Sequence, residues 1–157
     1  MLAVVGVSHR SVPLDLRERC AVPVEEREAA LASLHRRFGS VALLSTCGRT
    51  EVYLDVPPGD AEAAVAAVSD WLAGRTGRDR ERLLDGIEVA AESSAIQHLV
   101  RVACGLESAL EGEDEILGQV RHAWRDAGRA AALSPELDAA FRLAVQTGRQ
   151  ARRLGTA

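Results

Sequence analysis

Residues 41–56, VALLSTCGRTEVYLDV, leave the chain few options. Val41, Ala42, Leu43 and Leu44 form an apolar run too short for a helix. Residues 51–56 alternate polar and apolar side chains with β-branched and aromatic members, the pattern of a half-buried strand. Two strands this close must meet at a tight turn, so Cys47 falls where a strand ends. Gly48 follows, a residue that enters positive φ without steric cost, and Arg49 comes next. A thiol beside a guanidinium is more reactive than a buried one, because the cation favours the thiolate. A lone Cys at a strand end also serves as a small core residue with no chemistry at all.

The hairpin is part of a longer order. Residues 2–7 are a β-branched run ending in Ser8-His9-Arg10, and Pro13 opens a helical turn over 14–20 with Leu14, Leu16 and Cys20 available to pack. Over residues 23–38, Val24, Ala30, Leu31 and Leu34 keep helical spacing, with acids early, His35, Arg36 and Arg37 late, and Gly39 as the stop. After the hairpin, Pro57-Pro58-Gly59 makes a turn, and Asp60 is placed to cap a helix carrying Val65, Val68, Trp71 and Leu72. Residues 78–84 read as a further helical turn and 86–90 as a fourth strand. The order β, α, β, β, α, β predicts an α+β fold, a ferredoxin-like split βαβ with a four-stranded antiparallel sheet and its helices on one face.

Added helices follow. Ser93 or Ser94 is placed to cap a segment with Ile96, Leu99, Val100 and Val102 on one side. Residues 113–131 carry acids first and a stripe of Ile116, Leu117, Val120, Ala123, Trp124 and Ala127. Ser134-Pro135-Glu136 sets a cap, an N1 proline and an early acid before a last helix with Leu137, Phe141, Ala144 and Val145 inside. Arg142, Arg149, Arg152 and Arg153 crowd that helix, as a solvated face favoured near a helix C-terminus or as a patch for a partner.

Composition narrows the function. With 157 residues, 47% hydrophobic and 27% charged, the chain can bury a real core, built from aliphatic residues because aromatics are only 3%. All 19 basic residues are Arg, which with the heavy use of Ala reads as coding bias, and the net charge of −4 argues against a generally basic RNA-binding domain. Without Lys the chain offers no Schiff base and no P-loop lysine. Cys20, Cys47 and Cys104 are odd in number and widely spaced, which supports neither a disulfide framework nor a metal site. The opening MLAVVGVSHR lacks a basic leader and a span-length apolar run, so a cytoplasmic protein without membrane attachment is expected.

A nucleophilic Cys47 needs a base from elsewhere in the fold, and the candidates are His9, His35, His98 and His122. His35 and His122 lie among polar neighbours on helices and read as surface residues. His9 reads first as a loop residue capping local backbone. His98 leads a stretch with more polar groups than packing needs, although a lone His is usually structural.

Four blocks carry a family resemblance. Residues 45–53 (STCGRTEVY) resemble the active-site signature of glutamyl-tRNA reductase, and residues 6–13 (GVSHRSVP) its opening motif. Residues 98–108 (HLVRVACGLES) and 112–120 (GEDEILGQV) resemble two further signatures, in the right order. The resemblance implies that Cys47 attacks the ester of glutamyl-tRNA to form a thioester, with His98 important beside it. Thr46, Gly48, Arg49, Ser108, Glu113, Asp114, Glu115 and Gln119 are implied as substrate-binding. Arg49 suits a two-point carboxylate contact, while Glu113 or Glu115 is either an ammonium partner or an ordinary helix N-terminal acid. Two departures stand out: Gly48 replaces the usual Asn, and Cys104 a common Ser.

The family reduces its thioester with NADPH to glutamate 1-semialdehyde, in tetrapyrrole (porphyrin) biosynthesis. No Gly-rich phosphate loop follows a strand here, so the NADPH-binding and dimerisation domains are expected to be absent from this chain. Residues 1–133 read as the catalytic domain and 134–157 as the start of the linking helix. Implied partners are glutamyl-tRNA and the next enzyme of the pathway, an aminomutase, with a homodimer expected only alongside the further domains. The rival readings are a non-reducing module that binds tRNA, haem or a protein partner, and a Cys-dependent esterase.

Overall fold

Leu2–Ser8 (β1) is buried at all seven positions, covered on both faces and paired along both edges. Ser40–Ser45 (β2) and Arg49–Asp55 (β3) form the expected hairpin, and Glu88–Ala91 (β4) is a short edge strand shifted slightly from the expected 86–90. The sheet order is β2-β3-β1-β4 with every pairing antiparallel, the ferredoxin-like arrangement that the order of elements predicts. The computed structural model describes residues 1–109 and 115–155.

The helices are Leu14–Cys20 (α1), Val24–Phe38 (α2), Ala61–Gly74 (α3), Arg80–Asp85 (α4), Ser93–Ala103 (α5), Glu115–Arg129 (α6) and Pro135–Arg153 (α7). They do not share one face. Val5, Val7, Val41, Leu43, Val52 and Leu54 meet the first four helices, while Leu2, Val4, Ala42, Leu44 and Tyr53 meet the last three. The C-terminal helices therefore build a third layer. This corrects the half-buried reading of β3: Arg49, Thr50, Glu51, Val52, Tyr53 and Leu54 are all buried, because α5 to α7 cover the side that alternation assigned to water.

Helix starts divide the same way. Ser134 caps α7 as expected, its Oγ accepting from the Leu137 N–H at 3.1 Å. Asp60 makes no side-chain cap to α3, and α5 starts from Glu92 at φ 54 with no side-chain cap from a Ser. No helix of the described residues is long and apolar enough to cross a membrane.

Candidate active site

The turn between β2 and β3 is held from several sides. The Thr46 N–H donates to the Arg49 carbonyl at 2.8 Å, and the Gly48 N–H donates to Thr46 Oγ1 at 3.1 Å. The His9 N–H, beyond the end of β1, donates to the Gly48 carbonyl at 2.9 Å. Arg17 of α1 donates from Nη1 to the Val12 carbonyl at 2.9 Å and from Nε to the Cys47 carbonyl at 3.4 Å. Gly48 is not among the positive-φ glycines, which are Gly39, Gly77, Gly105 and Gly155, and a Cβ there would meet only Thr46 Oγ1, at 3.9 Å. The expected positive φ is thus corrected: this turn closes through side-chain and long-range bonds and does not need a left-handed residue.

On that turn Cys47 is exposed, whereas Cys20 and Cys104 are buried. Burial pushes the Cys20 thiol up to about 11 against the opposing Arg75 charge, and burial also raises Cys104. Neither is available as a thiolate near neutrality.

Behind the turn lies a buried polar network. Arg49, Glu51 and Tyr53 alternate along β3 and so project to one face, the one under α5. Arg49 is 4% exposed; its Nη1 lies 3.1 Å from Glu51 Oε2 and its Nη2 bonds the Glu107 carbonyl. Glu51 also meets His98 Nε2 at 2.5 Å and accepts from the Tyr53 hydroxyl at 2.9 Å. Burial raises the Glu51 carboxyl, but the His98 bond, the His98 and Arg49 charges and the Tyr53 hydroxyl together hold it below its usual value. An ionised carboxylate only accepts, so His98 Nε2 carries the proton, and in the neutral ring Nδ1 is left as the acceptor.

Gly6 makes room for this arrangement. It pairs with Glu51 across β1 and β3, and a Cβ there would lie 2.4 Å from the Thr50 carbonyl oxygen and 2.8 Å from Glu51 Cγ.

Two groups flank the network. Glu107 takes Arg10 Nη1 at 2.6 Å and Arg101 Nε on its two oxygens, and those partners outweigh burial to keep its carboxyl low. His9 is held below its usual value by burial first and then by the charges of Arg49, Arg10 and Arg17, with Glu107 opposing. Its Nδ1 is buried with no partner among the described residues. The His9 backbone N–H bonds the Gly48 carbonyl of the β2–β3 turn, a long-range contact rather than the local capping expected of this residue.

Of the residues singled out in the sequence, Thr46, Cys47 and Gly48 form the turn, and Arg49 and His98 join through Glu51. Ser108 is half-buried in the turn after α5, its N–H directed at the Gly105 carbonyl. Glu115 is exposed at the first position of α6 and Gln119 is half-buried one turn later. Glu113 and Asp114 lie outside the described residues. Arg17, Glu51, Tyr53 and Glu107 were missed. The two-residue spacing Arg49, Glu51, Tyr53 was a usable signal for a polar face, but only the third layer made that face interior.

The residues present do not fit a dinucleotide. Among the described residues every strand pairing is antiparallel, and Gly6, the glycine they place inside a strand, serves close strand approach and opens no phosphate loop before a helix.

Fold and site together define a three-layer ferredoxin-like domain that, among the described residues, carries an exposed thiol on the β2–β3 turn and a buried carboxylate paired with a half-buried imidazole. Residues 5–154 match the family described as glutamyl-tRNAGlu reductase, N-terminal domain. The chain is 38% identical over 153 residues to a glutamyl-tRNA reductase of Parasynechococcus marenigrum, covering 96% of this chain and 35% of that protein. It is 39% identical over 149 residues to one of Thermobifida fusca, covering 94% and 31%. The solved glutamyl-tRNA reductase from Methanopyrus kandleri superposes with a TM-score of 0.77 at 32% identity, over 97% of this chain and 34% of that one. The chain belongs to the glutamyl-tRNA reductase family, matching its N-terminal domain, and spans about a third of the length of these relatives.

Proposed function

We propose that this chain is the acyl-accepting domain of a glutamyl-tRNA reductase, acting in tetrapyrrole biosynthesis. The observation that carries the reading is the exposed Cys47 on a turn tied directly to the Glu51–His98 pair through Arg49. Cys47 Sγ adds to the ester carbonyl carbon of glutamyl-tRNA, and the carbon–oxygen bond to the terminal ribose breaks. The tRNA hydroxyl leaves with the proton that the thiol gave up, and glutamate stays as a thioester. His98 is the proton carrier, oriented by Glu51 as a base is oriented in other nucleophilic sites. Arg49 Nη1 and Nη2 each already hold one acceptor and the side chain is 4% exposed, so a glutamate carboxylate would meet its remaining N–H groups only after local rearrangement around Glu51 and the Glu107 carbonyl. Thr46, Gly48, Ser108, Glu113, Asp114, Glu115 and Gln119 carry over from the family as the rest of the pocket.

NADPH supplies the hydride in this family, converting the thioester to the semialdehyde. The described residues offer no cradle for it, so in this reading the domain's part ends at the thioester. Single-turnover incubation with labelled glutamyl-tRNA should give a hydroxylamine-sensitive acyl-enzyme on the wild type and none on Cys47→Ala. His98→Asn should slow acylation by about 10²-fold or more. No semialdehyde should form when NADPH is added. Absence of wild-type acylation would turn the reading toward a binding module.

A further inference from the structure

One of the arginines crowding α7 lines a groove shared with α6. Arg149 converges with Arg121 and Arg125 of α6 on an open groove between the two helices, with Trp124 and Asp138 also in its wall. Asp138 is the one carboxylate there, and it is already engaged: Oδ1 accepts from the Trp124 indole N–H at 2.8 Å and Oδ2 takes Arg142 Nη2 at 2.8 Å. Among the described residues, Arg121, Arg125 and Arg149 make no salt bridge with any acid. Three exposed cations from two helices thus share one groove on a chain of net charge −4.

The groove also has a direction. α7 starts at the end of the sheet far from Cys47, where Ser134 Oγ donates to Asp55 Oδ2 at 2.6 Å. It runs toward the site end, where a Cβ on Gly148 would meet Leu117 Cδ1 at 2.8 Å and the Ala103 carbonyl oxygen at 2.9 Å, at the close of the helix that carries His98. α6 runs the opposite way beside it. Arg149 and Arg121 are therefore the members nearest the site end of the sheet.

We infer that this groove binds the phosphate backbone of an RNA arm whose acylated end reaches Cys47, an inference that rests on the proposed acyl transfer from glutamyl-tRNA. The Trp124 ring has Arg142 placed over it at 6.0 Å, which leaves guanidinium–phosphate contacts as the main interaction and gives no base readout. An acidic protein segment would meet the same charges, and it is the outcome the test must separate.

The probe is a fluorescein-labelled, uncharged glutamate tRNA transcript, titrated by anisotropy from 50 to 300 mM KCl. The triple variant Arg121→Gln, Arg125→Gln, Arg149→Gln should bind about tenfold or more weakly at 0.1 M salt. The slope of log K against log salt should shrink by about two to three, at roughly 0.7–0.9 for each phosphate no longer neutralised. A control triple on the opposite layer, Arg36→Gln, Arg37→Gln, Arg78→Gln, removes equal charge and should leave affinity and slope unchanged. All six positions are exposed, and Arg37 also lies over the Phe38 ring. Equal weakening in the two triples, an unchanged slope in the groove variant, or loss of polyglutamate binding with tRNA binding intact would overturn the inference. If the groove triple loses tRNA as expected while wild-type Cys47 accepts no glutamyl group, the groove stands and the acyl reading falls. If acylation proceeds on the wild type and the groove variant binds tRNA normally, the reverse holds.

Discussion

At the scale of single residues, burial separates three thiols of identical chemistry. Cys47 is exposed on the turn, while burial holds Cys20 and Cys104 as thiols. Limited alkylation near neutral pH with peptide mapping should modify Cys47 first, and early labelling of Cys20 or Cys104 would contradict the placement of the nucleophile. Glu51 is the residue on which the site's polar order depends. Its folded-state value is depressed, so its contribution to stability is complete above the unfolded carboxyl range, near 4.5, and is lost as pH falls through the lower folded value. Glu51→Gln should therefore flatten the acid limb of the stability curve. It should also cost about 3 kcal/mol or more at neutral pH, because Arg49 is left buried without its counter-charge. Urea titrations of both proteins between pH 3 and 7 give the comparison, and parallel acid limbs would remove Glu51 as the cause.

At the scale of elements, the hairpin was readable because short apolar and alternating runs flank a turn, and α7 because Ser134, Pro135 and Glu136 occupy cap, N1 and early-acid positions. The conformation of the turn was not readable. Gly48 suggested a left-handed residue, yet Thr46, Arg17 and His9 close the turn, with Arg17 reaching it from 30 residues away and His9 from the end of β1. Gly48→Asn and Gly48→Val should accordingly differ little in stability, within about 0.5 kcal/mol, since neither meets a positive φ nor a close neighbour. A deficit of more than about 1 kcal/mol for Val alone would mean the backbone does favour glycine.

At the scale of the whole molecule, the third layer joins the site to the core. Phe141 of α7 is fully buried and meets Tyr53 edge to face at 5.5 Å, and the Tyr53 hydroxyl in turn bonds Glu51. Phe141→Ala should cost about 3–5 kcal/mol and leave Tyr53 loosely held. The acylation rate of Cys47 should fall in the fraction that remains folded. A destabilised protein with unchanged acylation would show that α7 supports the fold and not the site.

Local pattern sufficed for what depends on neighbouring residues: the order β, α, β, β, α, β, the α7 cap, and a Cys at the end of a strand. The four spaced motifs were legible too, and they pointed to the family on their own. Alternation along β3 could not say which side meets water, because that depends on whether another layer arrives, and α5 to α7 come from far along the chain. For the same reason the sequence could not show that Arg49, suited to a carboxylate contact, is 4% exposed and engaged by Glu51 and the Glu107 carbonyl. The Glu51–His98 pair spans 47 residues and the Arg49–Glu107 bond 58. Such contacts form only once helices from distant segments pack on the sheet, so tertiary structure alone decided them.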